Sequence, residues 1–516
     1  MKTLFVILVS IILFFNNLGA IALWDPDEPR QAIMAREMIE RNDFIHPYLN
    51  GRPYLEKPPL YPWLIIITSK ITGKLDEFSS RLPAAISATL LVLITYQLGN
   101  MLVNPGAGIL SALMLATNYQ FLSNARESVM DMNFAFFIGL TIFLNYLCIQ
   151  KRKKWLFVLS FIPSVLAVLS KGPAGLLIPA IITFIYLITK KDLKKFFIPF
   201  VAGCLVSLAL SSIWFILAGE EYIKEFIFRQ NITRYTNAFD HIESLFYYFH
   251  KLFVNFLPWS LLLPFAIYHA FKKRIWLPLI WFIFTFLFFE LSKSKRAIYL
   301  LSCYPACALL CGIYIKDRWS WLMENRITSA ALKCFALALT LLPIAALVVL
   351  YKGNSMVIDA FKTGPNSLYI YIAVLFFAGG VLFYALLKRT KGLSVFMLLF
   401  YLVAMSYFYG AYYMPAMDRT FKSPRLITDH LGDMKKDKEI FTTGFSSAGI
   451  IFYVGKPIQM FVNINEIKDK KNDILLIVED DQAKHMQKDL DLLFLPVGKT
   501  RYEREFYTFY VRKNGK

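Results

Sequence analysis

Charge is scarce in this chain of 516 residues: only 18% are Asp, Glu, Lys or Arg, against about 25% in soluble globular domains. Hydrophobic residues make up 57%. This composition excludes an ordinary cytosolic enzyme. It indicates a polytopic helical membrane protein, since each bilayer-spanning helix needs about 20 mostly apolar residues.

Cysteine and histidine are also rare, with six of each. The cysteines lie inside apolar stretches and predict no disulfides. Cys303, Cys307 and Cys311 share one helix face, which small-residue packing explains. Because the histidines are scattered and no cysteines have metal-ligand spacing, a catalytic metal is not indicated and no cofactor is expected to be obligatory. The sequence also lacks a Gly-rich phosphate loop, internal repeats and low-complexity tracts.

Thirteen apolar segments predict an all-α membrane domain of about 13 transmembrane helices. They lie near 3–23, 81–99, 106–122, 132–149, 155–170, 174–189, 196–218, 253–271, 275–291, 297–315, 331–351, 368–387 and 392–414. The first segment could instead be a cleaved signal peptide. Cleavage would leave twelve spans and the same first loop.

Acidic residues are scarcer than basic ones: the chain has 36 Asp and Glu and 56 Lys and Arg, which gives a net charge of +20. In a membrane protein this excess usually lies in cytoplasmic loops or meets anionic lipids, so nucleic acid is not the expected partner. Five short basic loops would share the cytoplasmic face: 151–154, 190–195, 272–274, 316–326 and 388–391. The basic turn 292–296 falls on the opposite face, where positive charge is disfavoured unless it holds an anion.

The same outer face receives the loop 24–80, the connection 219–252 and the C-terminal region. We divide the chain into a membrane domain, 1–415, with the catalytic loop 24–80, and a soluble α/β domain, 416–516. Strand-like runs at 439–443, 473–478 and 506–511, with a helical stretch at 482–490, support the second domain.

The first outer loop contains the densest group of acids. Asp25, Asp27 and Glu28 follow the first span directly, and Pro26 and Pro29 restrict the backbone around them. A carboxylate kept ionised by nearby cations can act as a base. The alternative is structural: Asp27 and Glu28 could cap the helix 29–41, since acids are favoured at a helix N-terminus.

Other charged residues map to the same face from separate turns. Glu56 and Lys57 stand in a proline-framed turn that returns to the bilayer, where such a charge would meet a lipid phosphate. Asp131 and Lys171 lie at span ends, where the alternative is snorkelling to the interface. The remaining cations are Arg30, Arg234, Lys293 and Lys295. If these groups converge, they suit transfer from a lipid-linked phosphate.

Several of these motifs resemble the aminoarabinose transferase family of polyprenyl-phosphate-dependent glycosyltransferases, which is distantly related to the protein O-mannosyltransferases. The resemblance covers about 1–415 in order. It rests on WDPDEPR at 24–30, AREM at 35–38, PYLEKPP at 53–59, SKGP at 170–173 and SKSK at 292–295 with Tyr299.

The resemblance implies a fold of the GT-C type with a periplasmic soluble domain, in the bacterial inner membrane. It implies a sugar donor linked to undecaprenyl phosphate and an acceptor that is lipid A, another envelope glycan or a protein. The implied catalytic residues are Asp27 and Asp131, with Glu28 beside them. Donor-phosphate or substrate positions fall on Arg30, Tyr54, Glu56, Lys57, Lys171, Arg234, Lys293, Lys295 and Tyr299.

The implied mechanism is inverting displacement at the anomeric carbon. Asp27 would activate the acceptor while cations hold the departing phosphate. One departure from the family pattern is Asn231, which stands where an acceptor-side His is expected, so the acceptor is less defined than the donor. The alternative function is transport or flipping of a lipid-linked precursor. It is less favoured because transporters keep ionisable residues near the bilayer midplane and often have two similar halves.

Overall fold

The computed structural model is that of a mostly helical membrane protein with a small mixed β-sheet near its C-terminus. It describes residues 1–352, 367–435, 438–443, 447–468, 470, 473–502 and 505–513.

Within these residues, seven helices are long and apolar enough to cross a bilayer. They are Glu77–Leu102, Met130–Gln150, Lys154–Lys171, Leu193–Ala218, Arg326–Val349, Leu368–Leu387 and Gly392–Thr420. Two further helices, Tyr247–Asn255 and Trp259–Lys273, meet at 115° and would form an eighth span together. The structure therefore establishes a polytopic membrane protein with seven or eight candidate spans.

Shorter helices account for the other apolar segments. Five contain 10–17 residues: Lys2–Phe15, Leu60–Thr72, Pro105–Ala116, Ala174–Thr189 and Trp276–Glu290. The segment predicted at 297–315 becomes a 3₁₀ turn, Ala297–Ser302, followed by the helix Tyr304–Glu324. Each of the thirteen predicted segments is thus helical over most of its described length, although only seven or eight meet the length and composition of a span.

Several of the long helices turn most of their hydrophobic side chains outward. Only 28% of the apolar window of Leu193–Ala218 and 17% of that of Arg326–Val349 are buried inside the protein. A helix of a soluble protein would bury such a stripe against a core. The exposed apolar surface is what a surrounding bilayer requires.

The loop that follows the first helix, Lys2–Phe15, is an ordered structure. A helix, Asp27–Arg41, is followed by a two-stranded hairpin in which β1, Tyr48–Leu49, pairs with β2, Arg52–Pro53. The chain then enters the helix Leu60–Thr72. The hairpin turn uses Asn50 and Gly51, both with positive φ, as a tight hairpin requires. This loop brings Asp27 and the 54–57 segment to the same end of the helical domain.

The C-terminal region forms a five-stranded sheet of order β4-β3-β5-β7-β6. Its strands are β3 (Glu439–Thr443), β4 (Gln459–Phe461), β5 (Ile474–Glu479), β6 (Phe494–Tyr502) and β7 (Glu505–Arg512). β3 is parallel to β4 and β5, whereas β7 is antiparallel to β5 and β6. The helices Ala448–Val454 and Asp480–Leu493 complete it. Three predicted strands are confirmed, and β4 and β6 were not anticipated.

This C-terminal sheet is packed onto the first loop. Ile33 of the helix Asp27–Arg41 is fully buried in the same hydrophobic cluster as Ile450 and Leu475. The Arg36 guanidinium donates to the Phe452 carbonyl at 3.0 Å. The sheet therefore forms an outer wall beside the loop that carries Asp27.

Candidate active site

The Asp27 carboxylate lies at the start of the first-loop helix and is half-buried. Its Oδ2 accepts a hydrogen bond from Arg296 Nη2 at 2.6 Å, and its Oδ1 lies 3.5 Å from Arg30 Nη1. Burial would raise the pKa of Asp27, but Arg296, Arg30 and Lys171 outweigh it and hold that pKa below its usual value. Asp27 is therefore ionised at neutral pH, and it does not cap the helix with its side chain.

Glu28 is in a different environment from its neighbour. It is 4% exposed, and the Arg81 guanidinium binds both its oxygens at 2.7 and 2.8 Å. The backbone N–H groups of Trp24 and Ser128 donate to the same carboxylate. With its hydrogen-bonding capacity occupied, Glu28 joins the first loop to the helical domain, so the geometry favours Asp27 as the reacting carboxylate.

A polar cavity of about 270 Å³, the central cavity, opens next to Asp27. Nine of the twelve predicted site residues line it: Asp27, Arg30, Tyr54, Glu56, Lys57, Asp131, Lys171, Arg234 and Tyr299. Asp131 forms an ion pair with Lys171, whose ammonium lies 4.0 Å from the centre of the Tyr299 ring. The structure thus brings together side chains from five separate parts of the chain.

Arg234 is held by three partners. It donates to Asp240 at 2.6 Å, to Gln230 at 3.2 Å and to Ser294 at 3.3 Å. It directly follows a π-helical segment, Ile223–Thr233, and π-helical turns occur frequently at functional sites. Its guanidinium is consequently fixed at the cavity wall.

Lys57 has no hydrogen-bond or ion-pair partner among the residues that the structure describes. Burial, together with the positive charges of Arg234 and Lys171, lowers the pKa of Lys57 to about 8. A cation that is desolvated among other cations is stabilised by an anion. This corner of the cavity is therefore suited to a phosphate.

A second cavity, of about 380 Å³, meets the central cavity at this corner. We call it the apolar cavity because its other walls are mostly hydrophobic: Phe134, Pro173, Ala174, Leu177, Ile232, Phe288 and Phe289. The two cavities share Lys57, Lys171, Gln230, Arg234 and Tyr299. An amphiphile could thus place an apolar tail in one cavity and an anionic head group among the cations.

Comparisons with known proteins identify similar chains. Residues 56–216 match the family model of dolichyl-phosphate-mannose-protein mannosyltransferases. An uncharacterized protein of Aquifex aeolicus is 32% identical over 368 residues, which are 68% of this chain and 73% of that protein. An undecaprenyl phosphate-α-4-amino-4-deoxy-L-arabinose arabinosyl transferase of Yersinia pestis is 27% identical over 388 residues, 72% of this chain and 69% of the relative.

The fold has a solved counterpart. The crystal structure of ArnT from Cupriavidus metallidurans bound to undecaprenyl phosphate superimposes with a TM-score of 0.78 at 19% identity, over 99% of this chain and 98% of that one. The chain belongs to the ArnT-like family of polyprenyl-phosphate-dependent membrane glycosyltransferases. It is therefore an enzyme, a glycosyltransferase, rather than the transporter that the sequence left as an alternative.

Two predicted residues of this glycosyltransferase, Lys293 and Lys295, line neither the central nor the apolar cavity. Lys293 is exposed, and its Nζ lies 3.4 Å from Asn237 Oδ1. Lys295 is only 4% exposed, and its positive charge acts on Glu290. Successive residues of an extended segment point in opposite directions, which is why the basic run as a whole could not identify the cation that faces the site.

That cation is Arg296, which the sequence interpretation missed. It belongs to the basic turn at 292–296, which lies on the face where positive charge is disfavoured, so the sequence signal was present although neither of the two predicted lysines lines the cavity. Asp240, Gln230 and Gln31 were also missed. Polar residues of this kind in a loop have no distinctive spacing, and only the fold places them at the cavity.

Proposed function

We propose that this glycosyltransferase moves a sugar from undecaprenyl phosphate to an envelope acceptor by inverting displacement. The observation that carries the proposal is the junction of the apolar and central cavities at Lys57, Lys171 and Arg234. The polyprenyl tail would occupy the apolar cavity. Its phosphate would lie among the three cations, and the sugar would extend toward Asp27.

Asp27 is the proposed general base. Its lowered pKa makes it a weak base, which suits a transition state in which the bond from the anomeric carbon to the phosphate oxygen is largely broken before the acceptor loses its proton. Arg296 orients the carboxylate. Asp131 is proposed to hold Lys171 toward the phosphate, and Tyr54 and Glu56 to contact the sugar.

The leaving group is a phosphate monoester, and the cations stabilise the charge that builds on it as the bond breaks. Lys57 matters most in this respect because its ammonium has no competing partner among the described residues. The protein groups supply this stabilisation without a divalent metal in the proposed mechanism. Lipid A, another envelope glycan or a protein remains the proposed class of acceptor.

Location and topology belong to the same proposal. The membrane is proposed to be the bacterial inner membrane, with about thirteen crossings once the shorter helices are counted, and the domain boundary near 415. The active site and the C-terminal domain would face the periplasm. The basic loops on the other side support this orientation, and protease access to the C-terminal domain in spheroplasts tests it.

The decisive experiment separates donor binding from transfer. Asp27→Asn should bind undecaprenyl phosphate like the native protein and transfer no sugar, whereas Lys57→Ala should bind it more weakly by about tenfold or more. Asp43→Asn and Lys70→Ala, in the first loop and the following helix and outside the cavities, are the matched controls. Normal transfer by Asp27→Asn in envelope glycans and lipids, measured by mass spectrometry, would overturn the assignment.

A further inference from the structure

A third cavity, of about 390 Å³, lies on the other side of the Asp27–Arg296 pair. This outer cavity shares Asp27, Val129 and Arg296 with the central cavity. Its remaining walls are Trp24, Asp25, Pro26, Glu28, Gln120, Asn124, Glu127, Ala297, Ile298 and Lys422. A group bound there would reach the Asp27 carboxylate from the side opposite the lipid-linked donor.

Asn124 supplies the first clue to what binds there. The residue is 6% exposed, and its Nδ2 donates to Glu127 Oε2 at 2.7 Å, which fixes the orientation of the amide. Its Oδ1 is buried and has no hydrogen-bond donor among the described residues. A buried acceptor without a donor is costly, so a bound ligand that donates a hydrogen bond would be favoured.

Glu127 supplies the second clue. It accepts hydrogen bonds from Ser123 at 2.5 Å and from Asn124, and in the described part of the chain no cation pairs with it. A carboxylate has about four lone-pair sites, so about two remain available. Burial and the nearby Glu28 raise the pKa of Glu127, so the negative charge of this carboxylate is itself disfavoured in its surroundings.

The balance of charge in the outer cavity is the reverse of that at the Lys57 corner. Four carboxylates contribute to its walls against two cations, Arg296 and Lys422. Because the buried Arg81 compensates Glu28, the carboxylates in excess are Asp25 and Glu127. Arg296 is already paired with Asp27, and the Lys422 ammonium lies 4.5 Å from the centre of the Trp24 ring. A phosphate acceptor would bring further negative charge and, when fully ionised, no donor. A hydroxyl can donate to each of the free acceptors.

We propose that the outer cavity binds the acceptor as a sugar, that a sugar hydroxyl is the attacking group, and that Asn124 Oδ1 and Glu127 accept hydrogen bonds from its neighbouring hydroxyls. A serine or threonine side chain fits less well because its one hydroxyl is consumed at Asp27. The inference rests on the proposed function and specifies the acceptor of that same site.

The step balances without a further reactant. The hydroxyl oxygen forms a bond to the anomeric carbon, while the bond from that carbon to the phosphate oxygen breaks and its electron pair remains with the polyprenyl phosphate. The hydroxyl proton passes to Asp27. Asn124 and Glu127 orient the acceptor ring and take no part in the bond changes.

The linkage of the transferred sugar is the test. Cells that lack this chain are complemented with the native protein, and the envelope is separated into lipids, glycans and peptides for mass spectrometry before and after mild acid. Glycosyl bonds to phosphate are cleaved by mild acid, whereas glycosidic bonds between sugars survive. The expected result is a sugar-sized mass on a glycan that persists after the treatment.

Two variants connect the linkage to the cavity. Glu127→Gln and Asn124→Leu should each lower transfer about tenfold or more and leave the binding of undecaprenyl phosphate to the purified protein unchanged. Asn133→Leu is the matched control: Asn133 is 2% exposed and its Oδ1 also has no hydrogen-bond donor among the described residues, but it lines none of the three cavities. Unchanged binding also shows that the variants are folded.

The possible outcomes are distinguishable. An acid-labile sugar would overturn the inference and leave the proposed function intact, as would a sugar found on peptides. Native transfer by both variants would show that the acceptor does not use this cavity. If no envelope fraction gains a sugar and undecaprenyl phosphate does not bind the purified protein, the proposed function itself fails.

Discussion

The pKa of Lys57 predicts how donor use depends on pH. Its pKa is lowered to about 8 in the empty site, so the ammonium is present below that pH and lost above it. One unit higher, at about pH 9, roughly a tenth of the molecules keep this proton. If the ammonium binds the donor phosphate, kcat/KM for the donor should fall about tenfold per pH unit beyond about 8.

The profile of kcat should behave differently. A bound phosphate stabilises the Lys57 ammonium, so the alkaline decline of kcat should begin at higher pH than that of kcat/KM. Lys57→Arg should remove the decline from kcat/KM, because a guanidinium keeps its proton throughout this range. The assay is release of undecaprenyl phosphate by protein reconstituted in lipid, with Lys70→Arg as the control. An alkaline decline that persists in Lys57→Arg would refute the reasoning.

Three further predictions concern residues that hold Asp27 and the first loop in position. Arg296→Gln should raise the pKa of Asp27, because burial then acts without its main opponent, and the acid side of the kcat/KM profile should move to higher pH. Glu28→Gln should destabilise the protein by about 3 kcal/mol, since it leaves the Arg81 guanidinium buried without its carboxylate; a lower Tm measures this. Tyr502→Phe removes a 2.6 Å hydrogen bond from the C-terminal domain to the first loop and should lower kcat more than donor affinity.

Each of these has a clear control. Arg41 lies at the exposed end of the helix that begins at Asp27. Arg41→Gln should therefore leave the acid side of the kcat/KM profile unchanged. Glu56→Gln removes an exposed carboxylate and should leave Tm unchanged, so a similar loss of Tm in both Glu variants would contradict the role given to Glu28. For Tyr502→Phe, the comparison is Tyr507→Phe, and equal effects on kcat would argue against a specific hold on the loop.

The sequence predicted much of the candidate site because charged side chains are unusual beside apolar membrane spans. Charges beside apolar spans are rare enough that Asp27, Lys57, Asp131 and Lys171 could be selected individually, and the central cavity brings them together. The distinction between Asp27 and Glu28 could not be made in this way. It depends on Arg81, about fifty residues later, which binds only one of two adjacent acids.

Other features could not be predicted from the sequence because they depend on backbone geometry. The basic run 292–296 was recognised as exceptional, but which of its side chains faces the site depends on the backbone direction at each residue. The strands β4 and β6 were missed because exposed edge strands have a weak alternation of apolar residues. Helix lengths were misjudged where an apolar run is bent, as between Tyr247–Asn255 and Trp259–Lys273. Hydropathy measures apolar character along the chain and contains no information on the direction of the helix axis.

The hold of the C-terminal domain on Asp25 has a consequence for biosynthesis. The Gly449 N–H and the hydroxyls of Ser447 and Tyr502 all donate to this carboxylate, two residues before Asp27, from positions 422 to 477 residues later. During translation the first loop leaves the ribosome long before these partners exist. The ribosome must therefore finish almost the entire chain before the active-site loop acquires its final contacts, so an interrupted product inserts in the membrane with an immature site.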